Sequence, residues 1–367
     1  MTAEAALDAR ILRAVHEYAL DDAAFLALAQ ELFAYQRERN APYAAFARAA
    51  GYGAARVPER IEEIPAVPAA AFKEARLATF PPGEAAVAFE TSGTTRGRAG
   101  RHEMPTTRLY EAALLASFDR MLLADGARLR YLQLVPDPRR NPQSSLGYMM
   151  ATVERERGDG AGGWYLEDDA LDVDGFVRDA TRARDEGVPV CVATTAFALV
   201  ALLGALAERG LQFALPRGSR IMETGGFKGR ARVVEREALY TGASERLGVP
   251  LEAIVAEYGM TELTSQYYDA HASRRRIEPR VKTAPPWLRA IVVDGDGRPV
   301  PDGVVGAIRH VDLANRGSVI AIETEDLGAL VPVAGAEPAG LVLLGRERGA
   351  ELRGCSLDAE TLLARRA

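Results

Sequence analysis

From about Arg130 onward, short strand-like runs (Tyr131–Val135, Val188–Val192, Arg220–Glu223 and Ala253–Ala256) alternate with helix-like segments near 105–123, 173–186, 196–209 and 231–247. This alternation constrains the fold more than any other feature, because parallel strands need long crossovers and helices supply them. An α/β layered domain with parallel or mixed sheets is expected. After Trp287 the rhythm changes to strands joined by tight turns: Ala290–Val293, the Asp294-Gly295-Asp296-Gly297 turn, Val304–Val311 and Ser318–Glu323. Asp-Gly pairs between apolar runs signal hairpins, so an antiparallel β subdomain is expected there. The first fifty residues read as helices. Phe25, Leu26, Leu28, Leu32 and Phe33 fall largely on one side of a segment that Asp21 or Asp22 can cap.

Composition excludes several classes. Apolar residues make up 48% of the 367 and charged residues 26%, values typical of globular chains rather than fibrous or disordered ones. A net charge of −6 leaves no basic footprint for nucleic acid, and the cluster Arg274 to Arg276 reads as a solvated face. The N-terminus, with Glu4, Asp8 and Arg10, lacks the layout of a secretory signal. The apolar stretch Val190 to Ala207, broken by Thr194 and Thr195, reads as a buried strand entering a buried helix rather than a membrane span. A cytoplasmic setting is expected. Two cysteines, Cys191 and Cys355, cannot build a disulfide framework.

The segment Glu90-Thr91-Ser92-Gly93-Thr94-Thr95-Arg96-Gly97-Arg98-Ala99-Gly100-Arg101-His102 gathers hydroxyls, glycines and arginines behind an apolar run. Glycines let backbone N–H groups converge on phosphate oxygens, hydroxyls add donors, and arginines add charge and forked hydrogen bonds. It is not a Walker loop, because no Gly-Lys-Ser/Thr occurs. Taken alone, it reads equally well as a flexible surface loop.

Thr91 to Thr95 resembles the phosphate loop of the acyl-adenylate-forming (ANL) superfamily. Further stretches follow in that family's order: Gly225-Gly226, Tyr258-Gly259-Met260-Thr261-Glu262, Thr324-Glu325-Asp326-Leu327-Gly328 and Gly345-Arg346. The ending Leu344 to Leu357, with Asn141 to Leu146 and Gly225 to Arg230, is similar to the LuxE-like acyl-protein synthetase branch. The resemblance runs from about Pro65 to the end. It implies an adenylation domain over 1–338, with a helical part at 1–64 and the β subdomain at 287–338. It also implies a truncated C-terminal domain, a short remnant at 339–367.

The resemblance implies a use of ATP and Mg²⁺ to activate a carboxylic acid as acyl-adenylate, in this branch a fatty acid, while the residues themselves leave fatty and aromatic acids open. Thr91, Ser92, Gly93, Thr94 and Thr95 would hold phosphates, and Gly225 and Gly226 would let the backbone approach adenine. Tyr258, followed by Gly259, would stack on the base, Thr261 would bond the α-phosphate and Glu262 would hold Mg²⁺. Asp326 would accept from the ribose hydroxyls, and Arg346 would meet ribose or phosphate. The acyl group would then move to Cys355 as a thioester, for delivery to a partner acyl reductase. Alternatives are a coenzyme A or carrier-protein ligase without self-acylation and, from another class, a degenerate nucleotide-binding subunit.

Two departures from the family carry mechanistic weight. Only three lysines occur, Lys73, Lys228 and Lys282, so the lysine of the family's C-terminal domain has no counterpart after residue 282. Lys228 and Arg230, with Arg101 and His102 behind them, are the candidate replacements. Cys355, beside Arg353 and ahead of Ser356, which can cap a final helix, sits where a thiolate would be favoured. Cys191, inside an apolar run, reads as core. Thr194 to Phe197 and Ser144-Ser145 are expected to line the acyl pocket, or to act as caps and core. No histidine has metal-ligand spacing.

Overall fold

The computed structural model describes residues 2–53, 56–91, 99–167, 170–225, 236–275, 280–333 and 336–346. The chain divides into two compact units. Unit 1 comprises 1–117, 260–267 and 281–351, and unit 2 comprises 118–259, 268–280 and 352–367.

Unit 1 begins with three helices whose ends are written in the sequence. Thr2 caps Ala3–Glu17, Asp21 caps Asp22–Arg39 and Asn40 caps Ala41–Ala49, each through a side-chain oxygen accepting from a first-turn N–H. The first helix stops at Tyr18, which is left-handed (φ 48°) and packs edge-on against Trp287 with ring centroids 5.3 Å apart. Of the expected apolar side, Phe25, Leu28, Leu32 and Phe33 are buried and Leu26 is half-buried. They share a core with Trp287, Val311 and Ile320.

The sheet of unit 1 is antiparallel in the order Leu288–Val293, Gly306–Asp312, Ala321–Val333, Ala336–Arg346, Val281–Thr283, and the short strand Val67–Pro68 adds to Ala321–Val333 in parallel. The Asp294 turn closes as its composition suggests: Oδ1 accepts from the N–H groups of Asp296 and Arg298, and Gly297 takes φ +76°. A second, two-stranded hairpin joins Val87–Glu90 to Arg101–Met104. The division expected at residue 338 falls inside the strand Ala336–Arg346, which pairs with Ala321–Val333 up to Val333 opposite Ala336. Pro332 is tolerated here because it lies past Gly328, where the other neighbouring strand ends, so that side needs no N–H from it.

Unit 2 is the layered α/β part. Its strands run in the order Ile254–Tyr258, Arg220–Thr224, Val190–Thr195, Arg130–Leu134, Gly163–Trp164, and all five pair in parallel. Val190–Thr195 and Arg130–Leu134 are buried at every position, as befits strands covered on both faces. Ser145–Arg157, Val173–Glu186, Ala196–Glu208 and Arg236–Leu247 are the helices between them. The apolar stretch from Val190 is thus a strand followed by a helix. Among the described residues no helix is long and apolar enough to cross a membrane.

Arg274 departs from its expected place on a solvated face. It is buried, its Nε donates to the Asp269 carbonyl at 3.0 Å, and burial lowers its pKa to about 10. The sequence shows an arginine run, but it does not show the tertiary contact that draws one member inward.

Candidate active site

The phosphate-loop candidate leaves one hairpin strand and re-enters the other. Its neck is clasped: the Thr91 N–H donates to the Gly100 carbonyl at 2.9 Å, and the Gly100 N–H donates to Thr91 Oγ1 at 2.8 Å. Ser92, Gly93, Thr94 and Thr95 lie outside the described residues, as do Gly226, Lys228, Arg230 and Cys355.

Past the neck, the strand alternates. Arg101 faces out, its side chain 55% exposed and ion-paired to Glu103 at 3.2 Å. His102, opposite Phe89 in the register, is buried. Its Nδ1 lies 2.8 Å from the Thr261 carbonyl oxygen, and its ring packs edge-on against Phe72. A carbonyl only accepts, so Nδ1 carries the hydrogen. Burial lowers the His102 pKa, only partly offset by that bond. Burial thus works against the positive charge expected of His102, whose observed role here is as a hydrogen-bonding residue.

The Thr261-Glu262 segment is buried, and it is held from several sides within unit 1. Asn315 Nδ2 donates to the Glu262 carbonyl at 3.0 Å, while Asn315 Oδ1 accepts from the Thr264 hydroxyl at 3.2 Å. Asp312, at the end of its strand and fully buried, accepts from the N–H groups of Thr264, Ser265 and Ala314 and from the Ser265 hydroxyl, all within 2.8–3.0 Å. Trp287 Nε1 donates to Ser265 Oγ at 3.0 Å. Burial raises the Asp312 pKa to about 6, against the pull of its four donors. Sequence reasoning missed Asp312 and Asn315, since a strand-end Asp and an Asn before Arg316-Gly317 read as turn formers.

Two further motifs meet across a strand pair. Asp326 stands directly opposite Arg346, and Leu327 opposite Gly345, with a register shift immediately after. Gly345 has φ +116°, a conformation that side chains avoid, so glycine is required at this irregularity. Behind them His310 is fully buried, its Nδ1 2.9 Å from the Tyr267 hydroxyl, and burial pushes its pKa down to about 4.

In unit 2, Gly225 follows the strand Arg220–Thr224 with φ +79°, and Tyr258 ends the neighbouring parallel strand Ile254–Tyr258. Both therefore sit at the carboxyl ends of parallel strands, the usual location of ligand sites in α/β sheets. The division between the units falls directly after Gly259, inside the Tyr258–Glu262 motif. Ser144 and Thr195 act as helix caps: Ser144 Oγ accepts from the Gly147 N–H at 3.0 Å and Thr195 Oγ1 from the Ala198 N–H at 3.2 Å. Cys191 is core, and burial pushes its thiol up to about 12.

Among the described residues no group of three or more His, Cys, Asp or Glu side chains could hold a metal ion. A single buried carboxylate at Glu262 suits Mg²⁺ carried in by nucleotide phosphates, an ion that commonly takes only one or two protein carboxylates.

Residues 18–363 match the model of the LuxE acyl-protein synthetase family. The chain belongs to that family. It is accordingly a ligase, and its fold is that of the adenylate-forming enzymes. A long-chain-fatty-acid–luciferin-component ligase of Vibrio harveyi is 22% identical over 339 residues, covering 90% of this chain and 86% of that protein. Its namesake from Aliivibrio fischeri is 22% identical, covering 76% and 72%. Among solved structures, a 2-hydroxyisobutyryl-CoA ligase in the postadenylation state superposes with a TM-score of 0.65 at 15% identity, covering 89% of this chain and 67% of the other. ATP-bound MatB from Rhodopseudomonas palustris gives 0.50 at 17% identity, over 73% of this chain and 49% of its own.

Proposed function

We propose that this protein activates a long-chain fatty acid with ATP and carries the acyl group as a thioester on Cys355. The observation that carries the reading is family membership over nearly the whole chain. The register that sets Asp326 opposite Arg346 supports it, since it brings two of the motif positions together on one strand pair.

A carboxylate oxygen of the acid attacks the α-phosphorus, the α–β anhydride bond breaks and pyrophosphate leaves. The Cys355 thiol then gives its proton to solvent, the thiolate attacks the acyl carbonyl, the acyl–phosphate C–O bond breaks and AMP departs. Both steps bring negative charges together, so positioning and cationic stabilisation lower the barrier. Ser92, Gly93, Thr94 and Thr95 cradle phosphates, Thr91 holds the neck of their loop, and Thr261 bonds the α-phosphate. Gly225, Gly226, Tyr258 and Gly259 receive the adenine, Asp326 takes the ribose hydroxyls and Arg346 takes ribose or phosphate. Glu262 would hold the Mg²⁺ arriving with ATP, which when bound would supply charge neutralisation. Lys228 supplies the remaining cation. The thioester passes to a partner acyl reductase, a reading supported by the relatives' names, which give a luciferin component as the acyl acceptor.

The test is incubation with labelled hexadecanoate, ATP and Mg²⁺ and no added thiol. A hydroxylamine-labile adduct is expected in the wild type and absent in Cys355→Ser. The same adduct surviving in that variant would overturn the assignment of Cys355. Product appearing only when coenzyme A is supplied would instead identify a ligase without self-acylation.

A further inference from the structure

The carbonyls of two successive motif residues, Thr261 and Glu262, are each pinned by a buried side chain from elsewhere in unit 1. His102 Nδ1–H donates to the first at 2.8 Å, and Asn315 Nδ2–H donates to the second at 3.0 Å. Each donor is itself anchored. His102 lies on the hairpin strand that closes the phosphate loop, packed against Phe72, and Asn315 receives the Thr264 hydroxyl. Fixing these two consecutive carbonyls fixes the peptide planes on both sides of the Glu262 Cα and one of the two that flank Thr261, so it sets the direction in which the Glu262 side chain leaves the backbone and constrains that of Thr261.

We propose that His102 and Asn315 are positioning residues, which together hold Thr261 and Glu262 in register with the neck of the phosphate loop. The assignment rests on the adenylating reading above. It differs from a cationic role for His102, because what matters is one N–H aimed at one carbonyl. Partners of this kind, one step removed from a ligand, change affinity or activity when lost even if the fold survives.

The test compares Asn315→Ala and His102→Phe with His102→Asn, whose amide can replace the Nδ1–H, and with Asn40→Ala. Asn40→Ala removes a buried helix cap in the same unit, and a donor to the Ser318 carbonyl, without touching Thr261 or Glu262. Three quantities are measured on the full chain: melting temperature, ATP–pyrophosphate exchange with hexadecanoate, and calorimetric binding of ATP with and without Mg²⁺. For Asn315→Ala and His102→Phe, kcat should fall roughly 10- to 100-fold, and ATP should bind more weakly by about 10-fold with Mg²⁺ present but little without it. His102→Asn should recover most of both losses. Asn40→Ala should lower the melting temperature and leave kcat and binding unchanged. If Asn315→Ala does not fold, the isosteric Asn315→Asp carries the same expectation, since it keeps the acceptor for Thr264 and lacks the donor to Glu262.

Variants that lose stability but keep the kcat and Mg²⁺-dependent binding of Asn40→Ala would overturn the positioning assignment alone. A wild-type protein that neither exchanges pyrophosphate nor binds ATP would overturn the adenylating reading, and this assignment with it.

Discussion

Among the described residues each unit buries one aspartate completely, and the two are stabilised by different means. Asp269 in unit 2 sits 2.8 Å from Arg280, both side chains fully inaccessible, and also accepts from the Ala256 N–H. Asp312 in unit 1 meets no cation among its hydrogen-bond partners, only three backbone N–H groups and a hydroxyl. A charge-paired carboxylate ties two side chains together and leaves a naked charge if one is lost. A carboxylate caged by neutral dipoles organises a loop, and its own charge remains costly. Unit 2 uses the first device within its sheet scaffold, and unit 1 uses the second beside the Thr261-Glu262 segment.

The sharpest way to break this comparison is Arg280→Ala. It removes the guanidinium paired with Asp269, leaving Arg274 as the neighbouring cation, and with it the donor to the Ile254 carbonyl and the cation stacked 4.6 Å from the Tyr240 ring centroid. Loss of about 3–5 kcal/mol in urea denaturation is expected, the usual cost of breaking a buried ion pair. A loss below about 1 kcal/mol, the value for exposed pairs, would mean that the pair is not buried in solution.

Asp312 should respond less to truncation and more to pH. Asp312→Ala leaves its donors unpaired but no longer buries a charge, so a net loss of about 1–3 kcal/mol is expected. The pH dependence has a definite sign. The folded pKa of about 6 lies above the ordinary 3.8, so between these values the folded state holds a proton that the unfolded state has released. Stability from this group therefore falls as pH rises from about 4 to about 6 and is flat above. The difference in unfolding free energy between wild type and Asp312→Asn should show that slope, because other titrations cancel. A flat difference would show that the cage keeps Asp312 at an ordinary pKa.

What could be read from the sequence follows the range of the interaction. Local signals survived: the cap at Asp21, the Asp294 turn, and the buried runs at Tyr131 and Val190 that became parallel strands. These depend on neighbours a few residues away or on a periodicity the chain displays. The bracket around Thr261 joins residues 159 positions apart through His102, and about fifty apart through Asn315 and Asp312. No composition or spacing encodes such pairs. His102 was legible as important and illegible in role, since burial, which depresses its pKa, is a property of the fold. Arg274 was misplaced for the same reason.

The smallest expected effect tests whether unit 2 contains scaffold at a position where an acyl pocket was expected. Thr195 ends a fully buried strand, and its hydroxyl oxygen caps the helix Ala196–Glu208 through the Ala198 N–H. As a cap alone, Thr195→Ala should cost about 1 kcal/mol, and Thr195→Ser should restore it, because serine supplies the same oxygen to the same donor. The KM for hexadecanoate should stay within about two-fold in both variants, since a cap substitution acts on helix stability rather than on the site. A rise in that KM of ten-fold or more with stability unchanged would instead make Thr195 part of the acid-binding wall. In that case the strand-to-helix junction would serve the substrate as well as the scaffold.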